Sequence, residues 1–358
     1  MIIRRELIEW YQVHKRSLPW RDTGDPYRIW MAEIIFQQTR IEQGIQYYHK
    51  FLERFPDVSS LALADEDEVL LAWQGLGYYA RARNMHKAAG EILHRYGGEF
   101  PGDYDRLRKL KGIGDYTAAA ILSVAFGQPL AVVDGNVQRV FARLFALEAP
   151  QNSTRLKKMV CDISTMILDP SRPGIYNQAV MDFGAMVCKP ARPACSQCPL
   201  AVHCSANKKG LAACLPVKAS KNAPSERCFN YLVFGFREKG EPYIYMNKRT
   251  GDDIWKNLHD FPLVESARLL SVAKVRNYLA KSMPGNGHKV VSIKASADYH
   301  HQLTHRVIRA RFFDIRLKRR LPVRKLPGNA FAVALQDMEK YARPRLIEKY
   351  LRDYSLNC

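Results

Sequence analysis

LKGIGDYTAAAIL, residues 110–122, decides how the first half of this chain is read. Gly112 and Gly114 flank Ile113 between two stretches whose apolar residues recur at helical spacing, "YDRLRKL" before and "YTAAAILSVAFG" after. Glycine lets the chain turn tightly between helices, and the free N–H groups at the start of the second helix can point outward at an anion. A plain helix–helix turn takes glycine for steric reasons too, so the segment alone leaves packing and phosphate binding both open. The charge of the chain moves the balance. Fifty-five Lys and Arg against 35 Asp and Glu leave +20 over 358 residues. Such an excess favours a polyanionic partner, and nucleic acid suits a hairpin built to cradle phosphate.

Outward from the hairpin the pattern stays helical. "DPYRIWMAEIIFQQTRIEQGIQYYHKFLERF" carries helical periodicity from Ile29 to Phe55, and two further helices break at Gly75-Leu76-Gly77. In "VVDGNVQRVFARLFAL", Val137, Val140, Phe141, Leu144 and Phe145 line one face. Past Cys204 the chain turns polar and aperiodic. From Cys228 it turns to β-branched and aromatic runs, "CFNYLVFGFRE", "PYIYMNKRT" and "RVIRARFFDIRL". The expectation is a mainly α domain over 1–205, a linker over 206–227 and an α+β domain over 228–358. The start, "MIIRRELIEWYQVHKRSLPW", lacks the apolar core of a signal peptide, and no stretch approaches the roughly 18–20 apolar residues of a membrane span. A cytoplasmic, reducing setting without membrane attachment is therefore expected.

Three constellations carry chemistry. Glu33 stands among Ile29, Trp30, Met31, Ala32, Ile34, Ile35 and Phe36, with no Lys or Arg three or four residues away on its helix. A carboxyl buried in such a setting holds its proton toward neutral pH; the alternative is a side chain that reaches solvent. Asp134 follows two valines and precedes a helix. Asp is a favoured N-cap, and a carboxylate fixed there, ionised by the helix start, can also face a developing positive charge. Cys188, Cys195, Cys198 and Cys204 are spaced C-x6-C-x2-C-x5-C. In a reducing compartment metal ligation is favoured over bridging. Four-cysteine zinc sites usually pair two C-x2-C knuckles, and only one is present, which tilts the reading toward an iron–sulfur cluster.

Together "LKGIGDYTAAAIL", "VVDGNV" and the four-cysteine loop resemble the DNA glycosylase superfamily typified by endonuclease III. "LPWR", "PYRIWMAEIIFQQT", "GLGYYARARNMHKAA" and "NQAVMDFGAMVCKPARPACSQCPLAVHC" are similar to adenine DNA glycosylases of the MutY type, over nearly all of residues 1–204. "GDDIWKNLHDFPLVE" resembles, more weakly, that family's Nudix-type C-terminal domain. The resemblance implies a monomeric base-excision repair enzyme that removes adenine mispaired with 8-oxoguanine or guanine from double-stranded DNA. It implies a [4Fe–4S] cluster on the four cysteines, organising a basic loop that contains Lys189 and Arg192. It implies Glu33 as proton donor to adenine and Asp134 as stabiliser of the oxocarbenium-like sugar. Asn136, Tyr116, Arg21 and Gln178 fall near the pocket, Gly112 and Gly114 in the DNA-binding hairpin, and Tyr78 and Gln38 where the base stack is filled.

Two departures matter. Superfamily members that cut the strand carry a hairpin lysine whose amine attacks the sugar. Here the residue is Tyr116, so a monofunctional glycosylase is expected. The family's Phe-Ser-His lesion-reading loop is matched by Leu303, Thr304 and His305, which keeps the hydroxyl and the histidine and loses the aromatic. No G-x5-E-x7-R-E segment is found in the C-terminal half, which disfavours a nucleotide hydrolase.

Overall fold

In the computed structural model, which describes residues 2–218, 223–283 and 289–353, fourteen α-helices and eight strands follow the chain. The first helices are α1 (Ile2–His14), α2 (Pro26–Ile35), α3 (Ile41–Arg54), α4 (Val58–Leu63), α5 (Glu66–Ala72) and α6 (Ala80–Tyr96). Then come α7 (Tyr104–Lys109), α8 (Asp115–Ala125), α9 (Gly135–Leu144), α10 (Thr154–Ile167), α11 (Pro173–Met186) and the single turn α12 (Ser205–Lys208). Contacts divide the chain into two units, Met1–Leu63 with Asn84–Lys221 and Ala64–Arg83 with Asn222–Cys358.

The first unit is built around two largely apolar helices, α2 and α8. Asp25 caps α2 by accepting from the Tyr27 N–H, and Pro26 supplies the first helical φ. Tyr27, Ile29, Trp30, Met31, Ala32, Ile34 and Ile35 are then buried. Thr117 to Ser123 of α8 are buried as well, and α2 and α8 pack together. A second cluster, including Phe141, Tyr176 and Phe183, joins α9, α10 and α11. Between α7 and α8 the turn follows the glycines. Gly112 has φ +82°, and a Cβ there would sit 2.8 Å from the Asn84 Cβ, so two constraints favour glycine. Gly114 is the extended N-cap of α8.

The second unit is an α+β layer structure. Its strands are β1 (Ser225–Glu238), β2 (Glu241–Lys248), β3 (His259–Asp260), β4 (Leu263–Ser266), β5 (Val290–Ala295), β6 (Tyr299–Gln302), β7 (Arg306–Leu317) and β8 (Ala330–Ala334). The sheet runs β3-β2-β1-β7-β5, with β4 on β1, β6 on β7 and β8 on β2; β1 and β7 are parallel and the other pairs antiparallel. Odd residues of β1 (Phe229, Tyr231, Val233) join a cluster with Leu346, Ile347 and Tyr350 of α14 (Arg345–Asp353). Even residues (Leu232, Phe234, Phe236) join Val275 and Leu279 of α13 (Val272–Ser282). Both faces of the central strands are thus covered.

Two boundaries differ from the sequence reading. The stretch 64–83, expected in the helical domain, groups with the C-terminal residues because its polar side chains are bonded there. Asp67 pairs with Lys248 at 2.7 Å, Gln74 accepts from the Arg343 N–H at 2.9 Å, Tyr79 donates to the Arg343 carbonyl at 3.1 Å, and Glu66 accepts from Asn257. The expected linker 206–227 is largely structured too. Most of α12 lies within it, Val217 bridges Pro150, Arg143 holds the Leu215 carbonyl at 2.8 Å, and β1 begins at Ser225. Its residues 219–222 lie outside those described. Among the described residues no helix is long and apolar enough to cross a membrane.

Candidate active site

A cavity of about 410 Å³ opens in the first unit, and Glu33, Asp134, Asn136, Tyr116, Arg21 and Gln178 all line it. These six come from four helices and two loops. Glu33 is the one acid on α2, which apart from the exposed Arg28 is largely buried. Burial pushes its carboxyl up to about 7; the nearby Asp134 charge adds to this, while the Tyr116 hydroxyl and Arg21 pull the other way. The side chain lines the cavity beside Tyr116 and Asp134.

Asp134 is both helix cap and cavity wall. It accepts from the Val137 N–H at 2.7 Å and from the Asn136 amide at 2.8 Å. Burial outweighs these donors and raises its pKa above the ordinary Asp value. Asn136 in turn accepts from Arg139 at 2.8 Å, and Arg139 also holds the Gly184 and Cys188 carbonyls at 2.8 Å. A Cβ on Gly184 would lie 2.8 Å from the Asn136 Cβ, so α11 reaches α9 this closely only through a glycine.

Beneath the cavity lies a network the sequence reading missed. Asp182 is fully buried on α11 and takes both Arg21, at 2.7 and 2.8 Å, and Arg16. Arg21 also donates to Tyr11 at 2.9 Å, and Tyr11 donates to Gln178 at 2.8 Å. Arg21 and Gln178 thus reach the cavity from a fixed base. The available signal was Asp182 itself, a lone acid in the apolar run "NQAVMDFGAM".

Not every candidate gathers here. Gln38 (φ +58°) lies just past α2, exposed, and is not among the cavity-lining residues. Tyr78 (φ +48°) is 51% exposed and belongs to the second unit, where its hydroxyl is 2.8 Å from that of Thr304. Thr304 and His305 are exposed at the turn between β6 and β7, closed by the Leu303 N–H on the Arg306 carbonyl at 2.8 Å. Leu303 is half-buried against the core of that unit. Gly112 and Gly114 shape the hairpin, as described.

Cys188, Cys195, Cys198 and Cys204 line one recess with Arg143, Val187 and Ala201, and none is bridged. Arg143 is buried and donates to the Lys189 carbonyl at 2.7 Å, the Pro190 carbonyl at 2.9 Å and the Cys188 sulfur at 3.4 Å. A cationic wall suits a group carrying four thiolates. No three or more His, Cys, Asp or Glu among the described residues are placed for a single metal ion. That is no bar to a polynuclear cluster, which spreads its thiolates over its corners.

Residues 31–160 match the HhH-GPD superfamily base excision DNA repair protein family. The human adenine DNA glycosylase is 40% identical over 215 residues, 58% of this chain and 39% of that protein, so the chain spans about two fifths of this relative's length. The adenine DNA glycosylase of Buchnera aphidicola subsp. Baizongia pistaciae is 31% identical over 309 residues, 85% of this chain and 83% of that protein. The structure of a non-covalent endonuclease III–DNA complex superposes with a TM-score of 0.51 at 26% identity, covering 59% of this chain and 97% of that one. With a relative matched over most of both lengths and the hairpin domain in place, the chain belongs to the adenine DNA glycosylase family.

Proposed function

We propose that the protein hydrolyses the N-glycosidic bond of adenine mispaired with 8-oxoguanine or guanine in duplex DNA. One observation carries the reading: Glu33, kept protonated to about pH 7, and Asp134, fixed by three donated contacts, line one cavity. An adenine inside a duplex reaches such a cavity only when flipped out of the stack. Glu33 then donates its proton to N7, and the C1′–N9 electron pair leaves with a neutral base. The sugar is left oxocarbenium-like, Asp134 stabilises it by charge, and water adds to C1′ as it gives up a proton that restores the acid form of Glu33, in the manner of two-carboxylate glycoside hydrolysis. Asn136 holds Asp134, Tyr116 hydrogen-bonds Glu33, and Arg21 and Gln178 form the anchored wall.

Tyr116 has no amine for a Schiff base, so strand scission requires alkali. Tyr78 and Gln38 fill the opened stack, and Thr304 and His305 read the 8-oxoguanine. Cys188, Cys195, Cys198 and Cys204 would hold a [4Fe–4S] cluster, which when bound supplies a structural cross-link and no hydrolytic step. Lys189 and Arg192 of that loop meet DNA phosphates.

The test is single-turnover cleavage of duplexes with adenine opposite 8-oxoguanine, guanine or cytosine, followed by alkali. Cutting at the 8-oxoguanine pair, slower at guanine and absent at cytosine, is expected. No cutting by protein that still binds these duplexes would sink the reaction and leave a DNA-binding protein.

A further inference from the structure

The hairpin carries an acid where a phosphate cradle calls for none. Asp115 is the first residue of α8, directly after the Gly114 cap. Its carboxylate is 2.5 Å from the Arg108 Nε and accepts from the Tyr104 hydroxyl at 3.0 Å. Arg108 also donates to the Ile113 carbonyl at 3.4 Å, so it lies folded along the turn. Arg106, Lys109 and Lys111 stand exposed on the same hairpin. Asp115 is thus a fixed negative charge at the helix start that DNA is expected to approach, and it occupies one of the hairpin's cations.

Resting on the DNA-binding reading above, we propose that Asp115 is a resident counter-anion: it holds Arg108 until a backbone phosphate displaces it, and so lowers the hairpin's affinity for DNA of any sequence. Both side chains are accessible to an incoming phosphate, Asp115 being 77% and Arg108 39% exposed. Before displacement Arg108 contributes no net positive charge to the surface. A protein with +20 overall holds undamaged DNA strongly, and a local counter-charge shortens that hold.

The experiment measures anisotropy of an undamaged duplex of about 20 base pairs with the full chain, its Asp115→Asn and Arg108→Gln variants and the double variant, over a range of salt. Asp115→Asn is expected to bind about 3- to 10-fold tighter at low salt with a parent-like salt slope, because Arg108 meets phosphate in both complexes and only the parent must first give up its carboxylate partner. The double variant should lose that gain relative to Arg108→Gln. Parent-like affinity in Asp115→Asn would overturn the proposal, and so would an equal gain when Arg108 is already Gln, since that is general charge and not release of Arg108. If the parent fails to bind the duplex at all, the DNA reading itself falls, which is a different result from binding that Asp115→Asn leaves unchanged.

Discussion

Protonation of Glu33 sets the pH window of the proposed chemistry. Its folded-state pKa of about 7 lies above the ordinary 4.5, so the folded protein binds the extra proton between those values. Stability from this group is present at low pH and is lost as pH rises through about 7. Two outcomes follow. The single-turnover rate of the parent should fall about tenfold per pH unit above 7. Glu33→Gln should abolish turnover, retain DNA binding and melt higher than the parent at pH 8, by up to about 3 kcal/mol, with little gain at pH 5. Equal melting shifts at both pH values would count against a buried acid. Asp182→Asn should act in the opposite direction. It leaves Arg21 buried without its counter-charge and should cost about 3–5 kcal/mol in a denaturant titration. Glu33 and Asp134 were legible because each is a carboxyl with an unusual local setting. Asp182 with Arg16 and Arg21 was not, since the partners lie more than 160 residues apart and only the fold brings them together.

At the scale of elements, two glycine contacts position the machinery and give contrasting tests. Gly112→Ala combines a left-handed φ with a 2.8 Å approach to Asn84 and should destabilise by about 1–3 kcal/mol; Gly114→Ala, extended with open space at its Cβ, should be close to neutral. Thermal melts of the two compare them directly. Gly184→Ala presses on Asn136 and should slow excision about 10- to 100-fold, because Asn136 holds Asp134 and small misplacements are costly in a reacting site. A folded Gly184→Ala with parental single-turnover rate would show that α9 yields freely there. The helices were readable from 3.6-residue periodicity and the hairpin from its glycines. The strands were readable only where long. "CFNYLVFGFRE" and "RVIRARFFDIRL" alternate incompletely because both faces are covered, and β3, with two residues, is too short for any pattern.

For the whole molecule, charge was legible and chain path was not. Nothing in 64–83 distinguishes it locally from the helices around it, and its partners begin about 160 residues later. Truncation after residue 218 should therefore leave Val69, Leu70 and Trp73, all buried, in a stretch without its bonding partners, and amides there should exchange far faster than in the full chain. Parental protection in the truncated chain would show that the first unit supports the stretch unaided.

The backbone crosses from one unit to the other three times, near residues 63, 83 and 221. No single cut of the gene separates them, so a fusion at any one junction inherits either a first unit carrying an orphaned insert or a second unit lacking the stretch that bears Tyr78. The residue proposed to fill the opened stack is thus encoded early and bonded late, with Thr304 as its partner.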